Sequence, residues 1–225
     1  MTKVTFYGHA CFKIENKGTS LLFDPFFDDN PLSPCKSHEI EADYILLSHW
    51  HTDHLGDTLK IARSQDALVI STFEVATTCE ARGTRAHPMH LGGKHIFDFG
   101  YVRVTPAFHG SGIPGGHACG FIVKFYDHVI YFSGDTCLFS DMKLLGQLEN
   151  IDLAILPIGD NFTMGIPDAV MATEMVEPGA VIPMHYNTFP VIECDPEDFK
   201  EQVEKRTQAQ CIILAPGETH HMSTG

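Results

Sequence analysis

The chain has no run of about 18 apolar residues, so it offers no transmembrane helix. It is short of positive charge: 15 Lys and Arg stand against 29 Asp and Glu, a formal net charge of −14. That argues against a general nucleic-acid binder and against an anionic membrane surface, both of which need clustered cations. A small phosphate substrate stays possible, because bound dications would invert the local field. The seven cysteines are odd in number and scattered, with no C-x-x-C among them. No disulfide framework is indicated, and a reducing compartment is. The start of the chain lacks the basic and apolar regions of a signal peptide, so a cytoplasmic location is expected.

What the chain does have is a dense group of potential metal donors. In Leu46-Leu47-Ser48-His49-Trp50-His51-Thr52-Asp53-His54-Leu55-Gly56, four donors fall within six positions. They follow an apolar run, Tyr44–Leu47, that reads as a buried strand. Packing gives no reason to put three imidazoles and a carboxylate at a strand end, whereas zinc, manganese and iron accept those ligands. His49 and His51 alternate, so an extended backbone can aim both the same way. Asp53 and His54 are adjacent and must diverge, so one segment can feed two neighbouring metal positions.

Apolar content of 44% and 225 residues allow a substantial core. Strands are expected at 3–7, 11–15, 20–23, 44–47, 67–71, 102–107, 120–126, 129–133, 151–157, 180–183 and 210–214. Helices are expected at 58–64, 73–82, 142–148, 168–177 and 196–206. Residues 26–41 read as a loop, and 84–100 as short strands and turns. His87-Pro88-Met89-His90 has an H-x-x-H spacing, but its proline favours a surface loop over a metal site. The glycine-rich 110–116 lacks the Lys of a phosphate-binding loop and reads as a mobile wall of the site. The pattern suits two sheets packed face to face with helices outside, in one domain spanning 1–225.

His109, Asp135 and His185 each lie within a few residues of an expected strand end, where a rigid scaffold presents functional groups. The full pattern H-x-H-x-D-H…His…Asp…His resembles the metallo-β-lactamase superfamily from residue 4 to 217. Within it, the likeness is to the UPF0173 group of small metal-dependent hydrolases. It rests on Gly8-His9-Ala10-Cys11-Phe12, Asp24-Pro25, Pro157-Ile158-Gly159, Phe162-Thr163-Met164 and Met184-His185-Tyr186-Asn187-Thr188.

The resemblance implies an α/β (α+β) four-layer αββα sandwich and a metal-dependent hydrolase. It implies His49, His51 and His109 on one metal, Asp53, His54 and His185 on a second, and Asp135 bridging them. The expected cofactors are two divalent ions, zinc first, with manganese or iron admitted by the carboxylates. A shared hydroxide would attack an ester, lactone, amide or phosphodiester of a small-molecule substrate. Phosphodiester cleavage of a nucleotide or lipid-like substrate is the alternative. A non-catalytic metal-binding or redox protein is a third reading. Flavodiiron proteins of this fold usually carry Glu at the position of His51 and add a flavin domain, which this chain has no room for. The donor loops 110–116, 160–165 and 186–190 contain no Lys or Arg, which favours an uncharged or singly charged substrate.

Asp53 and His9 are the catalytic candidates, His9 as proton donor to a leaving group or as a substrate hydrogen-bond partner. Asp24 is expected behind the ligands, orienting one of them. Asn161, Thr163, Tyr186 and Asn187 are expected either there or against substrate. Composition says nothing of oligomeric state.

Overall fold

The computed structural model describes residues 1–223. Fourteen strands and six α-helices are found among them. The first half carries β1 (Thr2–Phe6), β2 (Phe12–Asn16), β3 (Thr19–Phe23), β4 (Tyr44–Leu46), α1 (Thr52–Leu55), α2 (Thr58–Gln65), β5 (Leu68–Thr72), α3 (Phe73–Ala81) and β6 (Arg85–Met89). Then come β7 (Lys94–Phe97), β8 (Gly100–Pro106), β9 (Cys119–Phe125), β10 (His128–Phe132), α4 (Met142–Leu148), β11 (Leu153–Pro157), α5 (Ile166–Val176), β12 (Ala180–Met184), α6 (Pro196–Arg206), β13 (Gln210–Cys211) and β14 (Thr219–Met222).

The strands form two seven-stranded sheets, in the orders β14-β1-β2-β3-β4-β5-β6 and β13-β12-β11-β10-β9-β8-β7. Successive strand side chains point to opposite faces, and here both faces are apolar. In β3, Leu21 and Phe23 enter the central core while Leu22 faces outward. In β10, Ile130 and Phe132 point inward and Tyr131 outward. In β11, Leu153 and Ile155 point inward and Ala154 and Leu156 outward.

The inner rows of the two sheets meet in one core, with Phe23 and Phe132 rings 5.0 Å apart. The outer rows are covered by helices. Ile61, Val75 and Cys79 of α2 and α3 close the first sheet. Met142, Leu145, Val170, Val176, Phe199 and Val203 of α4, α5 and α6 close the second. A strand apolar on both faces needs cover on both, and the αββα sandwich follows.

Strand direction then positions the site. β3, β4, β5 and β6 run parallel, and β1 lies antiparallel to β2, which is antiparallel to β3. β10, β11 and β12 run parallel, with β8 in the same sense across β9. The carboxyl ends of β1, β3, β4, β8, β10 and β12 therefore share an edge of the sandwich. His9, Asp24, the H-x-H-x-D-H motif, His109, Asp135 and His185 follow those six strands.

Several local expectations are corrected. His87-Pro88-Met89 is not a loop but part of β6, an edge strand, where a proline costs no ladder hydrogen bond on its open side. α1 and β14 escaped the sequence reading: α1 has four residues, and β14 (Thr-His-His-Met) has little apolar alternation. The last expected strand, 210–214, shrinks to Gln210–Cys211. All seven cysteines are free, and four are buried as small apolar groups. No helix among the described residues is long and apolar enough to cross a membrane.

Candidate metal centre

β4 delivers Ser48 and His49 fully buried, and the chain then turns into α1 with His51 at its N-cap (φ −63°, ψ 151°). The extended step from His49 to His51 brings His49 Nε2 within 3.0 Å of His51 Nδ1. Asp53 and His54 lie on the first turn of α1, where neighbouring residues differ by about 100° around the axis. Asp53 turns toward His9, whereas the His54 ring stays 4.1 Å from that of His49, between the two sets. α1 stops at Gly56, whose φ is +39° and whose added Cβ would sit 2.3 Å from the Pro25 carbonyl oxygen. Glycine is required there by both contact and backbone. Gly112 does similar work in the glycine-rich loop: it packs against the Trp50 and His51 backbone, and Trp50 N donates to the Ser111 carbonyl. That loop therefore does form a wall of the site.

Two donor sets result. His49, His51 and His109 form one, with His109 Nε2 3.3 Å from His51 Nδ1. Asp53, His54 and His185 form the other, joined by His9, with one donor atom from each within 4.8 Å of the rest. Asp135 stands between them: its Oδ2 is 3.0 Å from His185 Nε2, 3.2 Å from His54 Nε2 and 3.6 Å from His109 Nε2. It is delivered by Gly134 (φ +60°), where a Cβ would meet the Cys119 carbonyl oxygen at 2.4 Å.

Behind the donors, Asp24 is fully buried with φ +40°. Its Oδ1 accepts from Ser48 N at 2.7 Å and its Oδ2 from Ser48 Oγ at 2.5 Å. The same Oδ2 accepts from His54 Nδ1 at 2.7 Å. With its proton on Asp24, the Ser48 hydroxyl accepts from His49 Nδ1 at 2.9 Å. His49 and His54 thus keep Nε2 as the free nitrogen toward the site, the usual way a buried partner fixes an imidazole tautomer. Ser48 was not singled out from the sequence. Its only signal there is its place beside His49.

The electrostatics are those of a site with an excess of donors. Burial pulls the His49 imidazole well below its ordinary range, and the neighbouring imidazoles add to that. Burial opposes charge on His54 as well, yet Asp135 and Asp24 on either side raise its pKa well above the usual value. Burial alone would raise Asp135, but His54 and His185 hold it well below the ordinary carboxylate range. His54 Nε2, His185 Nδ1 and Asp135 Oδ1 are buried with no hydrogen-bond partner. Such orphans are costly in a core. Converging imidazole nitrogens and two carboxylates, with His54 Nε2 and Asp135 Oδ1 orphaned among them, are what a pair of divalent cations would satisfy, so the residues fit the group.

The remaining expectations fare differently. His9 is fully buried, with Nε2 3.1 Å from Asp53 Oδ2 and Nδ1 2.9 Å from Thr188 Oγ1. Burial brings its pKa down to about 4 against the pull of Asp53. Both ring nitrogens are engaged by neighbours, so His9 has no free N–H in this arrangement. Tyr186 is buried in the core under α5 and α6, so it neither lines a substrate path nor backs a donor. Asn187 (φ +56°) spends its side chain on the turn, accepting from Cys194 N at 2.8 Å. Asn161 (φ +50°) is exposed, and Thr163 Oγ1 donates to the Met164 carbonyl at 3.3 Å. Neither reaches the donors, although their turn abuts the Asp135 segment through Met164 N and the Thr136 carbonyl at 3.0 Å. The H-x-x-H pair His87 and His90 joins no group of three donors among the described residues.

Fold and site together define a metallo-hydrolase of the metallo-β-lactamase type. A model of the beta-lactamase superfamily domain matches residues 19–186, and the chain belongs to that superfamily, as one of its UPF0173 metal-dependent hydrolases. It is 53% identical over 221 residues to the UPF0173 metal-dependent hydrolase of Natranaerobius thermophilus, covering 98% of this chain and 100% of that protein. A second such hydrolase, from Pelotomaculum thermopropionicum, is 49% identical over 225 residues, covering 96% and 98%. Among solved structures, the metallo hydrolase Igni18 from Ignicoccus hospitalis superposes with a TM-score of 0.92 at 34% identity, covering 99% of each chain.

Proposed function

We propose that this metal-dependent hydrolase uses two divalent ions, zinc first, to cleave an ester, lactone or amide bond in a small substrate that is uncharged near the scissile bond. One ion would be held by His49, His51 and His109, the other by Asp53, His54 and His185, with Asp135 shared. The observation that carries the reading is the place of Asp135, whose Oδ2 lies 3.0–3.6 Å from imidazoles of both sets. When bound, two such cations would lower the pKa of a shared water toward neutrality and polarise the group under attack. The protein's part is to hold three imidazoles on one side and to keep Asp53 and Asp135 ionised.

The substrate class is supported by the rim. Residues 106–118, 133–141, 158–165 and 185–195 contain no Lys or Arg, so these loops offer a phosphodiester no cation, and on the first-sheet side Arg82 lies over the Trp50 ring at 4.9 Å. Phe108 stands next to His109, 61% exposed, with its ring 5.2 Å from Phe139. Phe162, 56% exposed, crowns the neighbouring turn. These rings suit an apolar substituent. We also read residues 1–225 as one domain, because both sheets bury a common core. Zinc-, manganese- and iron-loaded protein should be assayed on an aryl ester, a lactone with an alkyl arm, a β-lactam and a bis-aryl phosphodiester. Faster turnover of the phosphodiester would overturn the substrate class, and no turnover with any metal would overturn the catalytic reading.

A further inference from the structure

His9 occupies the turn between β1 and β2 with φ +59°, a left-handed conformation unfavourable for a non-glycine residue and characteristic of sites held by their surroundings. Its backbone and its side chain grip different parts of the centre. The His9 carbonyl accepts from His185 N at 2.7 Å, and His185 is itself left-handed at φ +55°. The two rings lie 4.1 Å apart, with Phe26 and Phe189 edge-on at 5.8 and 5.5 Å. On the ring, Nε2 faces Asp53 Oδ2 at 3.1 Å and Nδ1 faces Thr188 Oγ1 at 2.9 Å.

The donor and acceptor roles follow from chemistry. An ionised Asp53 only accepts, so Nε2 carries the hydrogen. Nδ1 is then the acceptor, and the Thr188 hydroxyl gives its one proton to it at 2.9 Å rather than to the more distant Tyr186 carbonyl at 3.4 Å. Both nitrogens are thereby used, and neither presents a lone pair to a cation. We propose that His9 is a positioning residue, which aims the Asp53 carboxylate through Nε2–H and fixes the His185 backbone through its carbonyl, and that it is neither a metal ligand nor a proton donor. The relay Thr188–His9–Asp53 joins the β12 end of one sheet to α1 beside the other and sets the geometry of the second ion's donors. The proposal rests on the reading of Asp53 and His185 as donors to that ion.

The test is a titration of metal-free protein with zinc and with cobalt in competition with a chromophoric chelator, for wild type, His9→Ala, His9→Gln and Thr188→Val. In His9→Ala the second ion is expected to bind roughly 10–100-fold more weakly, the usual cost of losing a partner behind a ligand, with the first ion nearly unchanged. His9→Gln, whose amide can donate to Asp53, should recover part of that loss. Thr188→Val, close in shape, should give a smaller loss in the same direction and decides the matter if His9→Ala does not fold. At saturating cobalt the d–d spectrum of His9→Gln should match wild type. A changed spectrum would make His9 a ligand and overturn the proposal, as would unaltered second-ion affinity in the His9 variants. If wild type itself takes fewer than two ions, the dinuclear reading fails instead and the relay has no second ion to serve.

Discussion

Asp24 and Ser48 touch no substrate-facing surface, yet they determine which nitrogen His49 and His54 turn to the site. Asp24→Asn would replace the acceptor of His54 Nδ1 with an amide while keeping its shape. The expected outcome is a roughly 10–100-fold loss of metal affinity with the fold retained, read by chelator competition. Unchanged affinity would leave Asp24 a plain turn residue. Asp135→Ala removes the carboxylate between the two sets and is expected to lower metal occupancy and abolish hydrolysis, checked by elemental analysis and turnover.

The same residues give the metal-free protein an acid sensitivity. His9 (about 4) and His49 are both depressed by burial below the unfolded imidazole value of about 6.5. For a base held neutral in the fold, the unfolded chain binds more protons, so stability is full above about 6.5 and is lost as pH falls toward 4. His54 has the opposite sign: its raised pKa stabilises fully below about 6.5 and less as pH rises, so it adds no slope in that window. Asp24, its carboxyl raised by burial, works in the opposite sense as pH falls. The expected outcome is therefore a difference: denaturant midpoints of metal-free protein should fall less steeply between about pH 6.5 and 4 in His9→Gln than in wild type. An equal slope in both proteins would show that His9 does not contribute.

Among the elements, α1 has the most exacting position. It has only four residues, too few to be stable alone, and depends on its contacts. Gly56 brings it against Pro25, and Asp57 N donates to the same Pro25 carbonyl at 2.7 Å. Gly56→Ala combines a positive φ with a 2.3 Å clash against backbone. It should destabilise by roughly 1–3 kcal/mol, since neither atom can move freely. Because Asp53 and His54 ride on α1, metal binding should fall with it. Denaturant unfolding and metal titration of this variant are the measurements, and wild-type values in both would mean that α1 tolerates displacement.

At the scale of the molecule, the donors come from both sheets, so bound metal would tie the two halves of the sandwich together. Gently purified protein is expected to hold nearer two ions than one per chain by elemental analysis. A maximum of one after full reconstitution would sink the dinuclear reading. Ions bound only by the folded state stabilise it by about 4 kcal/mol when free metal is a thousandfold above Kd. Chelation should accordingly lower the unfolding midpoint, by more than it does in Asp135→Ala.

The four-layer architecture was legible because it is written in local patterns: strands apolar on both faces, such as Ser20–Phe23 and Val129–Phe132, call for cover on two sides whatever the topology. The H-x-H-x-D-H spacing was legible for the same reason, since six consecutive positions share one stretch of backbone. Tyr186, Asn187 and His9 were not legible in their roles, because a side chain's direction at a strand end depends on the backbone turn it leaves by. His185 and Asn187 are both left-handed at that turn, which sends Tyr186 into the helix-covered core while His185 faces the metal centre. β14 pairs with β1 across more than 200 residues of chain, and Asp24 meets Ser48 and His54 only because β3 and β4 run in parallel. Sequence by itself determined which donors this protein carries and that they follow strands. Only the tertiary structure decided which imidazoles are open to a cation and which are spent on neighbours, since hydrogen bonds between residues distant in the chain exist only once the strands that carry them are packed.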